Sequence, residues 1–227
     1  MTLSDAARSL VLKLLGGVLA VFFFAAFSLQ PTCNLLSFSF CKNLNLKPEI
    51  IFSWIAPVFG ILLVFFNTWV WRTYIGRLVG WKIPDIQGTW RGELETLRHM
   101  PGIRIPIAPI PVILVVRQEA FRIRLSLYTA ESNSFSQAAE FTKIDDENEL
   151  IYSYRNESDP RIRSQSPNHT GTTVFKMISL KPSSLVGEYY TDRLTSGRIH
   201  LTEHTSSLAV SFQDASNLVF EMRPVIR

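Results

Sequence analysis

The sequence predicts two N-terminal transmembrane helices followed by an all-β domain, folded as an eight-stranded antiparallel up-and-down barrel. Three observations support this fold class. Residues 1–82 contain two long apolar runs, residues 83–227 alternate apolar and polar side chains, and turn-forming clusters separate the alternating segments. About twenty apolar residues cross a bilayer as a helix, whereas a period of two indicates a half-buried strand. The chain therefore divides into a membrane region, 1–82, and a β-domain, 83–227.

Charge is distributed unevenly between the two regions. Residues 1–82 hold seven Lys and Arg against two Asp and Glu, whereas residues 83–227 hold 16 against 17. The isoelectric point near 9.2 therefore reflects cations that flank apolar runs, as is typical of membrane proteins. No DNA or RNA partner is expected, because the β-domain has no excess of positive charge.

Both apolar runs have the length of a membrane span. The first covers about residues 10–29 and holds a single charge, Lys13, near its start. The second covers about residues 50–71 and carries aromatic side chains that suit the membrane interface, namely Trp54, Trp69, Trp71 and Tyr74. Neither run has a polar face, which disfavours buried core helices. A signal peptide is the alternative for the first run, although "LSLQPTC" lacks a small-x-small cleavage site.

Cations around the runs predict the orientation in the membrane. The N-terminal flank and the segment after the second run carry five Lys and Arg, against two in the connecting loop. The positive-inside rule then predicts a two-pass protein with both termini in the cytoplasm. The only two cysteines, Cys33 and Cys41, would share the loop on the other side. Both a disulfide and two free thiols are open there.

Eight segments of the second region are predicted as strands. Alternation is clearest in "FRIRLSLYTA", and clusters such as "ESNS", "DDEN" and "KPSS" mark the turns. Short connections favour an up-and-down barrel over a sandwich, and the longest connection, "ESDPRIRSQSPNHT", is expected to cover a barrel mouth. The predicted strands cover residues 86–97, 110–119, 121–130, 135–144, 149–156, 171–180, 184–192 and 197–204.

The first predicted strand contains "GTW", which resembles the glycine-x-tryptophan opening of lipocalin-like barrels. In such barrels the Trp closes one end. An ordinary core aromatic is the other interpretation of Trp90. A barrel of eight strands is wide enough for side chains to fill it or for one small ligand to bind.

Groups that could support catalysis are scarce. The four histidines form no HExxH pattern, no Ser lies in G-x-S-x-G, and residues 83–227 contain no Cys nucleophile. The acidic run at residues 145–149 fits a solvated turn better than a metal site. We therefore expect no enzymatic activity, no metal and no cofactor.

Tyrosine and arginine accumulate instead on the later predicted strands. Aromatic planes stack on bases, and Arg together with hydroxyl groups bonds phosphate oxygens. Facing into the barrel, these side chains would suit a small anionic ligand that contains bases; facing outward, they would be ordinary sheet surface. Alternation groups six of them on shared strand faces: Tyr152, Tyr154, Asn156, Tyr189, Thr191 and Arg193.

Three segments, together with the two apolar runs, resemble a known family. They are "IQGTWRGEL", "YSYRN" followed by "NHTGTTVFKM", and "LVGEYYTDRLTSGRIHL". They are similar to the two-transmembrane β-barrel effectors of CBASS antiphage systems, the SMODS-associated β-strand-rich proteins. The resemblance implies a barrel that binds a cyclic dinucleotide, made by a partner nucleotidyltransferase, as its activating ligand. It also implies homo-oligomerisation in the lipid bilayer of the bacterial inner membrane, membrane disruption and death of the infected cell.

The resemblance assigns ligand binding to Tyr189, Thr191 and Arg193, with Tyr152, Tyr154 and Asn156 opposite. Gly187 is expected to leave room beside Tyr189, and Tyr190 to point outward. Two alternatives remain open at this stage. A lipocalin-like membrane-tethered carrier of an apolar ligand predicts a barrel lined by Leu, Ile and Phe. A membrane scaffold subunit predicts a barrel that is fully packed.

Overall fold

The chain folds into a helical segment and a closed β-barrel. A computed structural model describes residues 3–36, 53–78, 80–97, 108–144 and 147–223. Two compact units make up the chain: Ser4–Trp81 forms one, and the other contains Lys82–Arg227.

The first helix, α1, spans Leu3–Leu36 and contains one stretch, Ala7–Phe24, that is long and apolar enough to cross a membrane. The helix extends beyond the predicted end at residue 29. Hydropathy marks where the apolar run stops, whereas a helix continues for as long as its backbone hydrogen bonds do. Residues 30–36, predicted as loop, are therefore helical, and Cys41 lies outside the described residues. Neither alternative for the two cysteines, a disulfide or two free thiols, is therefore tested.

The second helix, α2, spans Ile55–Thr68 and has 14 residues. At 1.5 Å per residue it is about 21 Å long, less than the roughly 30 Å core of a bilayer. It begins just before Pro57, which a helix tolerates in its first turn. It ends where Trp69 leaves helical geometry at φ −136° and ψ −48°. The predicted span of about 50–71 is therefore not seen at its full length. A 3-10 turn, Val70–Arg72, and a short helix α3, Tyr74–Leu78, follow.

Eight antiparallel strands form the barrel. Each strand pairs with the next along the chain, and β8 pairs with β1, so the sheet closes without an open edge. The predicted up-and-down barrel and all eight predicted strands are confirmed, with ends that differ by at most three residues. The strands are β1 (Gly88–Leu97), β2 (Ile110–Gln118), β3 (Ile123–Tyr128), β4 (Ser132–Ile144), β5 (Glu147–Ser158), β6 (His169–Met177), β7 (Leu185–Thr191) and β8 (Ser196–Thr205).

One end of the barrel is closed by Trp90 and the segment before β1. Trp90 is fully buried, and its Nε1 donates a hydrogen bond to the Ile86 carbonyl at 2.8 Å. Gln118 fastens the same segment: its Oε1 accepts from Ile86 N at 3.0 Å, and its Nε2 donates to the Pro84 carbonyl at 2.7 Å. Trp90 is thus both a core aromatic and the residue that closes this end.

The strand β2 is buried on both faces, which explains its continuous apolar sequence. Its inner face packs in the barrel core. Its outer face is covered by the chain after β8, which includes a one-turn helix, α4 (Phe212–Ala215). The outer cluster consists of Ile113, Val115, Tyr128, Ala209 and Ala215, with Phe212, Leu218 and Phe220 packed against it.

Four connections meet at the end of the barrel opposite Trp90: β1–β2, β3–β4, β5–β6 and β7–β8. The β5–β6 connection, residues 159–168, was predicted to be the longest. The β1–β2 connection, residues 98–109, is longer, because β5 and β6 both extend further than their sequence signals indicated. Most of that connection lies outside the described residues.

Candidate functional site

The barrel contains a cavity of about 520 Å³ at this end. Ile162 and Ser166 of the β5–β6 connection belong to its lining, so that connection covers part of the mouth. All six residues predicted as ligand-binding line the cavity: Tyr152, Tyr154, Asn156, Tyr189, Thr191 and Arg193. That they contact a ligand stays a prediction.

Two tyrosines of β5 form an aromatic wall. The Tyr152 ring stacks on Phe175 with centroids 6.1 Å apart, and Tyr154 lies 5.8 Å from Tyr152. Burial raises the pKa of Tyr152 to about 12. Burial also raises the pKa of Tyr154, and the neighbouring phenols Tyr152 and Tyr189 raise it further. Both phenols therefore keep their protons at neutral pH and can donate hydrogen bonds.

Two glycines create the space for the tyrosine rings. Tyr154 pairs across strands with Gly171, and a Cβ at Gly171 would lie 2.5 Å from Tyr154 Cζ. Tyr189 pairs with Gly197, where a Cβ would lie 2.6 Å from Tyr189 Cε1.

Gly187 was expected to leave room beside Tyr189, but the side chain nearest to it is that of Phe175. A Cβ at Gly187 would instead lie 2.6 Å from Cδ1 of Phe175, so Gly187 accommodates the core and not the cavity. Alternation places Gly187 on the correct face of β7, but only the pairing of β7 with β8 brings Gly197 against Tyr189.

Tyr189 connects two walls of the cavity. Its hydroxyl donates to Thr96 Oγ1 of β1 at 2.8 Å, and burial raises its pKa. Its neighbour Tyr190 is 53% exposed and bonds Glu188 on the outer face, as alternation predicts.

Arg193 supplies the positive charge at the mouth. It lies beyond the end of β7, so the β7–β8 turn positions it, and strand alternation does not. Its Nη1 donates to Ser166 Oγ at 3.1 Å and to the Pro167 carbonyl at 3.2 Å. His169 Nδ1 lies 3.5 Å from the same nitrogen. Arg193 therefore joins the turn to the β5–β6 connection.

His169 contributes a ring with little positive charge at neutral pH. Burial, and secondarily the nearby Arg193 guanidinium, lower its pKa below the usual value, although a hydrogen bond with Pro167 acts in the opposite direction. Next to it, Asp192 accepts hydrogen bonds from Thr170 N at 3.0 Å and Thr170 Oγ1 at 2.9 Å, which lower the pKa of the carboxyl group. The β7–β8 turn is thus fixed at two residues: Arg193 bonds the β5–β6 connection, and Asp192 bonds Thr170 of β6.

Asn156 of β5 pairs directly with His169 of β6, and its amide lies within a network of hydroxyl groups. Its Nδ2 donates to Ser134 Oγ at 2.9 Å and to Ser132 Oγ at 3.1 Å. Its Oδ1 accepts from Ser158 Oγ at 3.3 Å. The amide is therefore fixed in orientation before any ligand arrives. Among the described lining residues, fixed charges occur only at Arg193 and Glu131.

Comparison with known proteins identifies the region around this cavity. A family model described as Cap15, cyclic dinucleotide receptor domain, matches residues 81–203, which is more than half of the chain. The chain belongs to the Cap15 receptor family. The resemblance found in the sequence is thereby confirmed, and the Cap15 domain identifies the chain as a CBASS effector that binds cyclic dinucleotides. No curated protein matches the chain.

The Cap15 match covers every residue of the described ranges that lines the cavity. Several lining residues of the Cap15 domain were not predicted from the sequence. Ser132 and Ser134 were missed because the predicted start of β4 fell three residues late, which left both in a turn. The alternation pattern predicts only that Thr96 and Thr173 face inward. No local feature of the sequence distinguishes a Thr that lines the cavity from any other inward-facing Thr. The unpredicted lining residues with hydrogen-bonding side chains include Thr96, Thr129, Ser132, Ser134, Ser166, His169, Thr173 and Thr195.

Proposed function

We propose that the cyclic dinucleotide binds inside the barrel cavity, and that binding drives assembly in the inner membrane, membrane disruption and death of the infected cell. The observation that carries the proposal is the cavity itself. Its volume of about 520 Å³ lies within the roughly 300–1,000 Å³ usual for small-molecule sites, and its lining combines aromatic rings with one cation.

The mouth and the walls suit different parts of the ligand. Arg193 uses one nitrogen for the β5–β6 connection, and its other N–H groups are suited to donate to a phosphate, where charge-assisted hydrogen bonds are strong. The rings of Tyr152, Tyr154 and Tyr189 offer surfaces on which bases stack. No reacting group is required, because the ligand acts as a signal.

Assembly requires that the ligand favour one state of the protein over another. Arg193 bonds the β5–β6 connection as well as lining the cavity, so a phosphate bound there would alter the outer surface at the mouth. The helix α1 supplies the membrane-crossing stretch, Ala7–Phe24. Gly16 and Ala20 are exposed on it at the four-residue spacing that favours helix association.

The two alternative functions fit the barrel less well. A carrier of an apolar ligand requires an apolar lining, whereas more than half of the described residues that line this cavity have a polar or charged side chain. A scaffold subunit predicts a filled barrel, and an open cavity of this volume leaves that prediction unmet.

Titration of the full-length protein in lipid nanodiscs would test ligand binding. We expect at least one member of a panel of cyclic dinucleotides to bind, and palmitate not to compete. Binding of palmitate with no response to any cyclic dinucleotide would favour the carrier.

Arg193→Ala is expected to weaken cyclic dinucleotide binding about 10- to 100-fold, because a hydrogen bond to a charged group contributes about 1.5–3 kcal/mol. Tyr189→Phe should weaken it less, because the ring remains and only the phenol hydroxyl is lost. The matched control is Arg198→Ala, since Arg198 is exposed on the outer face of β8. Equal affinities of all three variants and the wild type would place the ligand elsewhere.

Ligand-dependent release of dye from liposomes would test membrane disruption. We expect release only with the cyclic dinucleotides that bind, together with an increase in particle mass by mass photometry. Arg193→Ala should need a correspondingly higher ligand concentration for both effects. Binding without any change in mass or dye retention would contradict the assembly mechanism.

A further inference from the structure

Thr173 in the middle of β6 has an unsatisfied hydroxyl group. The residue is fully buried and lines the cavity. Its Oγ1 has no hydrogen-bond partner in the described part of the chain. A buried polar group without a partner is destabilising, and each such group in a native protein requires an explanation.

The two tyrosines beside Thr173 do not satisfy it. Thr173 pairs with Tyr152 of β5 on one side and with Tyr189 of β7 on the other. The Tyr189 hydroxyl is committed to Thr96. The Tyr152 phenol is close enough for Thr173 to offset part of its pKa rise, but the two groups do not reach hydrogen-bonding geometry. The Thr173 hydroxyl therefore belongs to a residue that lies between Tyr152 and Tyr189 in the sheet, and its hydrogen-bonding capacity is unused.

The distribution of charge determines which part of a ligand reaches this depth. Arg193 and His169 lie at the mouth, whereas the floor, at Thr173, lies four residues further along β6 between the neutral residues Tyr152 and Tyr189. A phosphate moved to that floor would lose its hydration without gaining a cation. A base loses less, and it gains stacking surface from the tyrosine rings. The base end of the ligand therefore faces the floor, and a phosphate faces the mouth.

We propose that Thr173 is a specificity-determining residue, whose hydroxyl bonds the edge of the base that enters between Tyr152 and Tyr189. This inference rests on the proposed binding of a cyclic dinucleotide in the cavity. A hydroxyl can both donate and accept a hydrogen bond. It therefore bonds a base edge that places either an acceptor or a donor within its reach. A base that offers neither leaves the hydroxyl unpaired, and a site built to bond a polar group rejects such a ligand strongly.

The test compares Thr173→Val and Thr173→Ser in the full-length protein in nanodiscs. Val keeps the shape of Thr without the hydroxyl, and Ser keeps the hydroxyl without the methyl group. The probes are cyclic dinucleotides that differ from one another in a single base. We expect the Val variant to bind the preferred ligand about tenfold more weakly and the other ligands less than twofold more weakly. The differences in affinity among the ligands should therefore largely disappear. Ser should preserve the ranking, and the melting temperature of the Val variant should equal or exceed that of the wild type.

Three results would overturn the inference. If the Val variant binds the cyclic dinucleotides in the same order of affinity as the wild type, the hydroxyl does not distinguish between bases. A uniform loss for every ligand would assign the group to the shared sugar-phosphate part. A melting temperature of the Val variant below that of the wild type would mean that the Thr173 hydroxyl has a hydrogen-bond partner in the folded protein.

The proposed function fails separately from this inference. If the wild type binds no cyclic dinucleotide, the cavity is not the receptor site. If the wild type binds and Arg193→Ala weakens binding while Thr173→Val leaves the ranking intact, only the role of Thr173 is wrong.

Discussion

Leu194 is the residue whose backbone is most unusual in the described chain. It has a φ of 56°, the only positive value found there for a residue other than Gly, and its side chain is 92% exposed. Left-handed geometry costs a residue with a Cβ about 1–2 kcal/mol. The turn accepts this cost next to Arg193, where Leu194 N donates to the Thr191 carbonyl at 3.1 Å. The strained residue, Leu194, thus directly follows Arg193, the cation that lines the cavity.

Leu194→Gly is expected to raise the free energy of unfolding by about 0.5–1 kcal/mol, because relief of the left-handed strain outweighs the entropy that Gly loses on folding. Chemical denaturation in detergent, followed by tryptophan fluorescence, measures it. Leu194→Ala is the matched control: it removes the same exposed side chain, keeps the Cβ and should leave stability unchanged. Destabilisation by Gly would mean that strain is not what distinguishes this turn.

At the scale of elements, a buried hydroxyl of β1 bonds the chain after β8 twice. Thr89 Oγ1 donates to the Ser207 carbonyl at 2.7 Å and accepts from Ala209 N at 3.0 Å. These bonds hold the segment that covers the outer face of β2. The covering of that strand therefore depends on a side chain of a different strand.

Thr89→Val is expected to lower the free energy of unfolding by about 1–3 kcal/mol, because Ala209 N–H would be buried without a partner. Limited proteolysis should then cut within residues 206–223 faster than in the wild type. Thr89→Ser retains the hydroxyl and should protect the segment. Equal cutting of the Val and Ser variants would assign the effect to packing alone.

At the scale of the whole molecule, the buried His204 and the half-buried His169 make stability depend on pH. Burial is the main cause that lowers the pKa of both His169 and His204. The unfolded chain then binds protons more readily than the folded chain below about pH 6.5, the ordinary pKa of His. Stability is thus complete above that pH and falls as the pH decreases toward the folded pKa.

We expect the free energy of unfolding to decrease between pH 7 and pH 5, with a shallower slope in His204→Gln. Gln can still donate to the Gln87 carbonyl, which lies 2.9 Å from His204 Nε2. His200→Gln, on the exposed outer face of β8, controls for the substitution itself. Denaturation curves at a series of pH values supply the slope. A wild-type slope in the His204 variant would remove this residue from the explanation.

Membrane orientation is a second property of the whole chain. A reporter fused after Arg227 is expected to be active only in the cytoplasm, because cations are more numerous on the flanks of the predicted spans than between them. A second fusion within residues 37–50 should be active only on the other side. Activity of both fusions on the same side would contradict a two-pass arrangement.

The sequence by itself determined the class of the fold and the candidate residues of the cavity. Alternation with a period of two is a local property, so it predicts which side chains share a strand face, including Tyr152, Tyr154 and Tyr189. Hydropathy predicts the apolar stretch of α1 in the same way. The second predicted span is seen only as the shorter helix α2, because helix ends depend on backbone geometry at residues such as Trp69.

Only the tertiary structure decided what surrounds those side chains. The pairing of β7 with β8 sets Gly197 and not Gly187 against Tyr189, and the fold brings Ser166 to Arg193 across 27 positions of the chain. The unpaired hydroxyl of Thr173 likewise depends on the orientation of two tyrosines from neighbouring strands. Such relations come from register and barrel closure, which join residues distant in sequence and leave no local pattern by which to recognise them.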